Sequence, residues 1–371
     1  MPPISLLIKP ASGLCDLSCE YCFYCDVMKN RELENRGIMR CDTLEAVIEK
    51  ALSFAEGTCT IGYQGGEPTL AGLDFFMRSV EIQRKYNTKN IVIENTIQTN
   101  GYAITEEWAR FFAENDFLVG LSLDGIKKTN DAYRKTPSGG VTFEHIMKTV
   151  SLFDRFEVQY NILTVLNRRT AENVRRIYEF YKKCNFKYLQ FIPCLDPLSE
   201  EAGVRKYSLS PKLYGEALCE LFDLWHADLL EDRQPYIRMF ENYISILCGL
   251  QPESCDMRGV CGKQYVVEAD GTVYPCDFYV LDEYCMGNLS VDDFPALDKR
   301  RGELRFVEQS VSLPKKCDAC EYRPLCRGGC HRHRIHSEGQ NYFCPSYRIF
   351  FAHALDRLRA VSDVIKEEMR F

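Results

Sequence analysis

No run of about eighteen uninterrupted apolar residues occurs in this sequence, so no membrane-crossing helix is expected. The opening MPPISLLIKPASG holds only a short apolar stretch, broken by Lys9 and Pro10, and does not read as a secretory leader. A cytoplasmic protein is expected. A basic excess is also lacking: the net charge of -7 leaves no global field to attract a nucleic-acid backbone. A local basic patch, such as Arg323 to Arg334, is compatible with that balance. Neither internal repeats nor low-complexity tracts are found. What remains is a chain of 371 residues, 46% of them hydrophobic, long enough for two or three domains with a substantial core.

Against those absences stand nineteen cysteines. Reducing cytosol disfavours disulfides, so clustered cysteines there more often hold metal or do chemistry. Five lie between Cys15 and Cys41, nine between Cys255 and Cys344, and five are scattered between these groups. Two metal-rich regions therefore flank a metal-poor body.

Up to about residue 195, β-rich runs alternate with helical patterns, as in βα units around a parallel sheet. Strands are predicted at Ser5 to Ile8, Cys59 to Tyr63, Ile91 to Asn95, Leu118 to Leu123, Val158 to Val165 and Tyr188 to Ile192. Six such units suggest an α/β fold with an open, partial barrel over residues 1–195. Asp42 and Glu45 have capping-box spacing ahead of an apolar helical face that Gly57 ends, and Thr105 and Thr170 precede further helices. Residues 196–250 read as a helical bridge that includes a start at Ser210 and Pro211. Residues 251–346 are rich in Cys, Gly and Pro with little periodicity, so metal ligation must replace much of the missing core. A C-terminal helix over 347–371, strongest from Tyr347 to Glu368, is expected to pack back onto the barrel.

Cys15, Cys19 and Cys22, spaced x3 and x2, follow the first predicted strand. Three thiolates can hold three irons of a [4Fe–4S] cube and leave the fourth open to an exogenous ligand such as the amino and carboxylate groups of S-adenosylmethionine. A zinc site completed by Cys25 is the plainer alternative. Tyr21 supplies a ring for an adenine, Gly65 and Gly66 permit close backbone approach, and Glu67 offers a carboxylate to an amino group. Working residues of parallel barrels gather at the carboxyl ends of strands. There stand the cysteine loop, Gly65 to Glu67, Gln98 to Asn100, Ser122 and Asp124, Asn161 and Thr164, then Gln190 and Leu195.

These residues resemble the radical S-adenosylmethionine superfamily, marked by a CxxxCxxC loop, a GGE motif and a partial (β/α)6 barrel. The resemblance implies reductive cleavage to methionine and a 5′-deoxyadenosyl radical that takes a hydrogen atom from substrate. It further implies that Tyr21, Gly66, Ser122, Arg134 and Leu195 contact the cofactor. For Arg134 a solvated loop arginine is the competing reading.

Eight later cysteines, Cys255, Cys261, Cys276, Cys317, Cys320, Cys326, Cys330 and Cys344, suffice for two tetrathiolate sites. Their spacing alone fits two structural zincs as well as iron–sulfur. The arrangement resembles the SPASM extension, a twitch-type domain with two auxiliary [4Fe–4S] clusters. By that resemblance Cys255, Cys261, Cys276 and Cys330 hold the first auxiliary cluster, and Cys317, Cys320, Cys326 and Cys344 the second, the spacing before Cys344 being shorter than in the family. Cys25, Cys41, Cys59, Cys184, Cys194, Cys219, Cys248 and Cys285 read as small core or surface residues. His331, His333 and His336 read as surface groups or neighbours of the cluster ligands.

Within the SPASM enzymes nearly the whole chain is similar to the anaerobic sulfatase-maturating enzymes, through SLLIKPASGLCDLSCEYCFY, YQGGEPTLAGLDFF, IQTNG, GLSLDG, QFIPCLDPL and VVEADGTVYPCDFYVLD. This implies oxidation of Cys or Ser in a C/S-x-P-x-R motif of an unfolded or nascent sulfatase to Cα-formylglycine. It also implies a low-potential donor such as ferredoxin or flavodoxin. Asp277 resembles the family's proton acceptor; Asp270 and Asp282 are nearby alternatives. Two rivals are a maturase of a ribosomal peptide, on the same scaffold, and a non-catalytic electron-transfer or zinc protein, which would leave Gly65 to Glu67 without a use.

Overall fold

Among the described residues ten strands form: β1 (Ile4–Ile8), β2 (Thr58–Tyr63), β3 (Val92–Thr99), β4 (Leu118–Ser122), β5 (Tyr160–Leu166), β6 (Tyr188–Pro193), β7 (Tyr236–Ile237), β8 (Tyr265–Val267), β9 (Thr272–Tyr274) and β10 (Gly287–Asn288). The structure is a computed structural model that describes residues 3–335, 337 and 339–368. Contacts gather into two units, the first Met1–Ser122, Arg134–Asn161 and Lys263–Phe306, the second Leu123–Tyr133, Ile162–Gly262 and Val307–Phe371. Both are discontinuous in sequence, so they divide the chain differently from the four segments read along it.

In the first unit β1 to β4 pair in parallel, with Ile8 opposite Tyr63, Tyr63 opposite Ile97, and Thr99 opposite Leu121. Parallel pairing needs a crossover between successive strands, which helices Cys41–Phe54, Leu73–Tyr86 and Glu106–Glu114 supply. Their buried faces join the sheet through a cluster of Tyr63, Phe76, Trp108, Phe112 and Phe117. Strand β8 adds to the free edge of β1, also in parallel, and β9 and β10 continue from it antiparallel. The cysteine-rich region thus contributes strands to the first unit, which the weak periodicity of such three-residue elements hides.

The second unit pairs β5, β6 and β7 in parallel. Helix Pro211–Leu229 starts as expected, Ser210 Oγ accepting from Leu213 N at 3.3 Å. The last helix, Cys344–Glu368, packs on it and on helix Arg238–Leu247, its Phe350 ringed by Phe222, Phe240 and Tyr243. Its main partners are therefore these helices of residues 196–250, where packing onto the barrel of residues 1–195 was expected. Capping also departs from expectation at one helix. Cys41–Phe54 begins one residue before Asp42, and Glu45 bonds Lys85 and Tyr86 instead of closing a capping box. Thr105 does cap its helix, while Thr170 serves in a capping box built on Asn167.

Candidate active site

The loop after β1 carries Cys15, Cys19 and Cys22, all half-buried, and ends where helix Phe23–Lys29 begins. It is pinned from outside: Ser18 N donates to Lys135 O at 2.7 Å, and Asn100 Nδ2 donates to Asp16 Oδ1 at 2.6 Å. Asn100 Nδ2 also lies 3.6 Å from Cys15 Sγ. Burial pushes the Cys15 thiol up to about 12, with Glu67, Asp16 and Cys19 adding like charge. Cys22 is drawn down to about 6, chiefly by a hydrogen bond from Cys25, with the Arg134 cation helping. Binding as thiolates requires that Cys15 lose its proton, so this loop suits a cationic metal centre that supplies the missing positive charge. Cys25 is exposed and serves as a donor to Cys22.

Gly65 and Gly66 sit at φ +104° and +53°, where L side chains are strained. A Cβ on Gly66 would lie 2.0 Å from Leu14 O, and Glu67 N donates to that same oxygen at 2.7 Å. The glycines therefore let the loop approach the chain's own cysteine loop, a use that the sequence reading assigned to a ligand. Glu67 is also held by the chain itself. Only 1% exposed, its carboxylate accepts from Thr69 N, Thr69 Oγ1, Thr99 Oγ1 and Asn100 N at 2.7–3.1 Å. Burial raises its proton affinity, and these four donors oppose that. Its carboxylate thus joins the ends of β2 and β3, and through Asn100 the cysteine loop, Oε1 accepting three of these hydrogen bonds and Oε2 one.

Arg134 is 6% exposed and donates to Tyr21 Oη at 3.1 Å, so the solvated-loop reading of Arg134 is overturned. Ser122 Oγ at the end of β4 accepts from Gln98 Nε2 at 3.0 Å. Leu195 lies in the second unit just past β6, its carbonyl facing the buried Cys194 thiol.

Asp277 follows β9 and is 9% exposed. Its Oδ2 accepts from Tyr24 Oη at 2.6 Å and Gln64 Nε2 at 3.3 Å, while Oδ1 takes no hydrogen bond. Lys9 Nζ stands 3.8 Å from that free oxygen and 3.3 Å from Glu268 Oε1, with the Tyr24 ring beneath it at 4.8 Å. Burial raises the Asp277 carboxyl above its usual value, and Lys9 and Tyr24 pull it back. The alternatives are committed elsewhere: Asp270 pairs with Arg36, and Asp282 accepts from Glu32 N. Lys9, Tyr24 and Gln64 were missed as a set by sequence reading. Lys9 carried the one usable signal, a charge closing the apolar strand SLLI.

Glu268 is fully buried, yet Lys9 and an Arg31 guanidinium at 2.7 Å overcome the cost of burial and hold it at about 2. A depressed carboxyl stabilises the fold above its unfolded value of 4.5 and loses that contribution as pH falls toward 2. At neutral pH the contribution is therefore complete, and Glu268→Gln, which leaves two buried cations short of a counter-charge, is expected to cost about 3 kcal/mol. A lowered urea midpoint at pH 7.5 checks this; an unchanged midpoint would show that Lys9 and Arg31 find other partners.

The remaining cysteines fall into groups. In the second unit Cys330 is pushed up to about 12 by burial, with Asp256, Cys255 and Cys261 adding to it, so these three thiols are neighbours. Cys276 belongs to the first unit, next to Asp277. Cys326 rises to about 11 through burial and the proximity of Cys344, Cys317 and Cys320. Helix Cys344–Glu368 starts at its ligand candidate. His331 is half-buried, the His333 ring meets Phe343 edge-on at 5.2 Å, and His336 lies outside the described residues.

Comparison with known proteins gives these clusters a context. Residues 10–181 match the model of the Radical SAM superfamily, and residues 255–321 that of SPASM, an iron–sulfur cluster-binding domain. The cysteine-type anaerobic sulfatase-maturating enzyme of Clostridium novyi is 44% identical, over 98% of this chain and 99% of its own. The serine-type enzyme of Bacteroides thetaiotaomicron is 30% identical over 99% and 92%. A solved structure described as native anSMEcpe with bound AdoMet and Cp18Cys peptide superposes with a TM-score of 0.93 at 45% identity, covering 98% of this chain and 100% of that one. Among the described residues no helix is long and apolar enough to cross a membrane.

Proposed function

The chain belongs to the radical S-adenosylmethionine superfamily and, within it, to the anaerobic sulfatase-maturating enzymes, and from that premise we propose a cysteine-type maturase. Its reaction is oxidation of a residue in a sulfatase C/S-x-P-x-R motif to Cα-formylglycine on a partial (β/α)6 barrel with a SPASM domain and a C-terminal helix. The preference for cysteine rests on 44% identity to a cysteine-type enzyme against 30% to a serine-type one. Its cofactors are S-adenosylmethionine and [4Fe–4S] clusters, one that binds S-adenosylmethionine and two auxiliary. Cys15, Cys19 and Cys22 hold the first. Cys255, Cys261, Cys276 and Cys330 hold one auxiliary cluster, and Cys317, Cys320, Cys326 and Cys344 the other. Tyr21, Gly66, Glu67, Ser122, Arg134 and Leu195 line the S-adenosylmethionine site, the Glu67 carboxylate also tying its loops together.

When bound, these groups supply a radical that removes a β-hydrogen from the substrate residue and an acceptor for the electron left behind. The chain supplies the base. Asp277 takes the thiol proton on Oδ1, the oxygen left without a hydrogen bond, while Tyr24 and Gln64 fix the carboxylate through Oδ2. Lys9 favours the charged form of the carboxylate, against the burial that raises its proton affinity. Loss of a hydrogen atom, a proton and an electron turns the cysteine into a thioaldehyde, which water converts to the aldehyde and hydrogen sulfide. That buried oxygen, without a hydrogen bond and set against the helix that follows the cysteine loop, is the observation that carries the reading. The substrate is an unfolded or nascent sulfatase segment, met in the cytoplasm, and the reductant a low-potential carrier.

The test is mass spectrometry of a Cys-x-Pro-x-Arg and a Ser-x-Pro-x-Arg peptide incubated anaerobically with reconstituted enzyme, reductant and S-adenosylmethionine. Aldehyde from the cysteine peptide with matching 5′-deoxyadenosine is expected, and little from the serine peptide. Deoxyadenosine with both peptides unchanged would transfer the chemistry to another peptide substrate.

A further inference from the structure

Arg334 closes the short turn His331–Arg334 that follows Cys330, and it is only 4% exposed. Its guanidinium is divided among backbone carbonyls: Nε donates to Gly328 O at 3.1 Å, Nη2 to Gly329 O at 2.8 Å, and Nη1 to Ser310 O at 2.6 Å and Ser312 O at 3.3 Å. Gly328 and Gly329 lie just ahead of Cys330 at φ +85° and +61°, a left-handed pair that offers both carbonyls to one side chain. On the other side, Ser310 Oγ accepts from Cys261 N at 2.9 Å. One guanidinium thus grips the segments that carry Cys261 and Cys330, thiols already placed as neighbours. Gly328 O also accepts from Asn341 Nδ2 at 3.1 Å, and Asn341 O from Cys344 N at 2.9 Å, so the turn is fixed from the other cysteine set as well.

Burying a cation is costly even when its N–H groups are hydrogen-bonded, and carbonyl dipoles offset only part of that cost. An iron–sulfur site with four thiolates offsets more, because it is net negative and becomes more so when it gains an electron. The Cys261 thiol already feels the charge: burial raises it, while Ser310 and the Arg334 cation pull it back. In turnover the substrate carbon radical gives up one electron as its carbon–sulfur double bond forms. The thiol proton goes to Asp277, and the electron reduces the acceptor by one. We propose that Arg334 is a positioning residue for that acceptor: it clamps the segments of Cys261 and Cys330 and keeps a buried positive charge beside the cluster they hold, which eases uptake of the substrate's electron. This rests on the assignment of Cys255, Cys261, Cys276 and Cys330 to one cluster.

The experiment is a potentiometric titration of the reconstituted holoenzyme, followed by electron paramagnetic resonance, with iron content measured on the same samples. Parent, Arg334→Gln and Arg334→Lys are compared, and Arg300→Gln, which removes an exposed charge on helix Phe294–Leu304, is the control. Arg334→Gln is expected to make one auxiliary cluster about tenfold harder to reduce at a given potential, a midpoint lower by about 59 mV for one electron, with no shift in the control. Arg334→Lys keeps the charge but loses the fork, so it is expected to hold less iron than the parent at the parent's midpoint. Unchanged midpoints in an Arg334→Gln protein of full iron content would overturn the inference, as would a midpoint in Arg334→Lys as low as in Arg334→Gln. Should the glutamine protein hold too little iron to titrate, the lysine protein decides: iron well above the glutamine protein's is expected, and iron equally low would overturn the part given to the charge. A Cys261→Ala protein that keeps the parent's iron would instead remove the ligand assignment, and the inference with it.

Discussion

Asp277→Asn is expected to uncouple radical generation from product: 5′-deoxyadenosine continues to form, while formylglycine falls by roughly 10²–10⁴-fold. The amide keeps the size of the carboxylate and can still accept from Tyr24 Oη at the Oδ2 position, so the site around it has little reason to collapse. What disappears is the charge on the buried Oδ1, the one oxygen free to take a proton. Nothing nearby replaces it. Glu268 is held ionised at about 2 by Lys9 and Arg31, which makes it a poor base at neutral pH, and Asp270 is paired with Arg36. The measurement is the ratio of deoxyadenosine to aldehyde in single-turnover samples, by chromatography and mass spectrometry. An unchanged ratio would move the base to water or to the substrate backbone and reduce Asp277 to an anchor for the Cys276 loop.

Much of this site was legible in the sequence because its parts are local. CxxxCxxC needs only its own spacing to present three thiols, and strand-helix alternation located six strands to within a few residues. The rest depends on long-range pairing, which spacing cannot show. Glu67 reads as a free carboxylate until β3 delivers Thr99 and Asn100 to it. Lys9 and Glu268 lie far apart in sequence and meet only because β8 pairs with β1, a contact between a three-residue strand and a distant one. Arg134 looks like a loop residue until its guanidinium is found buried against Tyr21. In each case the motif located the site, and the topology decided what the charge does.

That distinction can be measured at the glycines. Gly66→Ala is expected to abolish both the iron of the first cluster and deoxyadenosine formation. A left-handed backbone alone costs an L residue about 1 kcal/mol, and that is all Gly57→Ala should lose, because at φ +75° its Cβ meets nothing within 4 Å. At Gly66 the φ of +53° is similar, but the added carbon falls 2.0 Å from Leu14 O and within the hydrogen bond that Glu67 N makes there. One loop must move. If it is the cysteine loop, Cys15 leaves its place; if it is the Gly65 to Glu67 loop, the Glu67 carboxylate leaves Asn100, which holds Asp16. Either movement opens the three-thiol loop, so the cost is expected to reach 3 kcal/mol or more. Iron analysis and S-adenosylmethionine cleavage by the two variants, side by side, separate strain from collision: equal retention in both would mean that the loop yields to a methyl group, and that its glycines serve conformation alone.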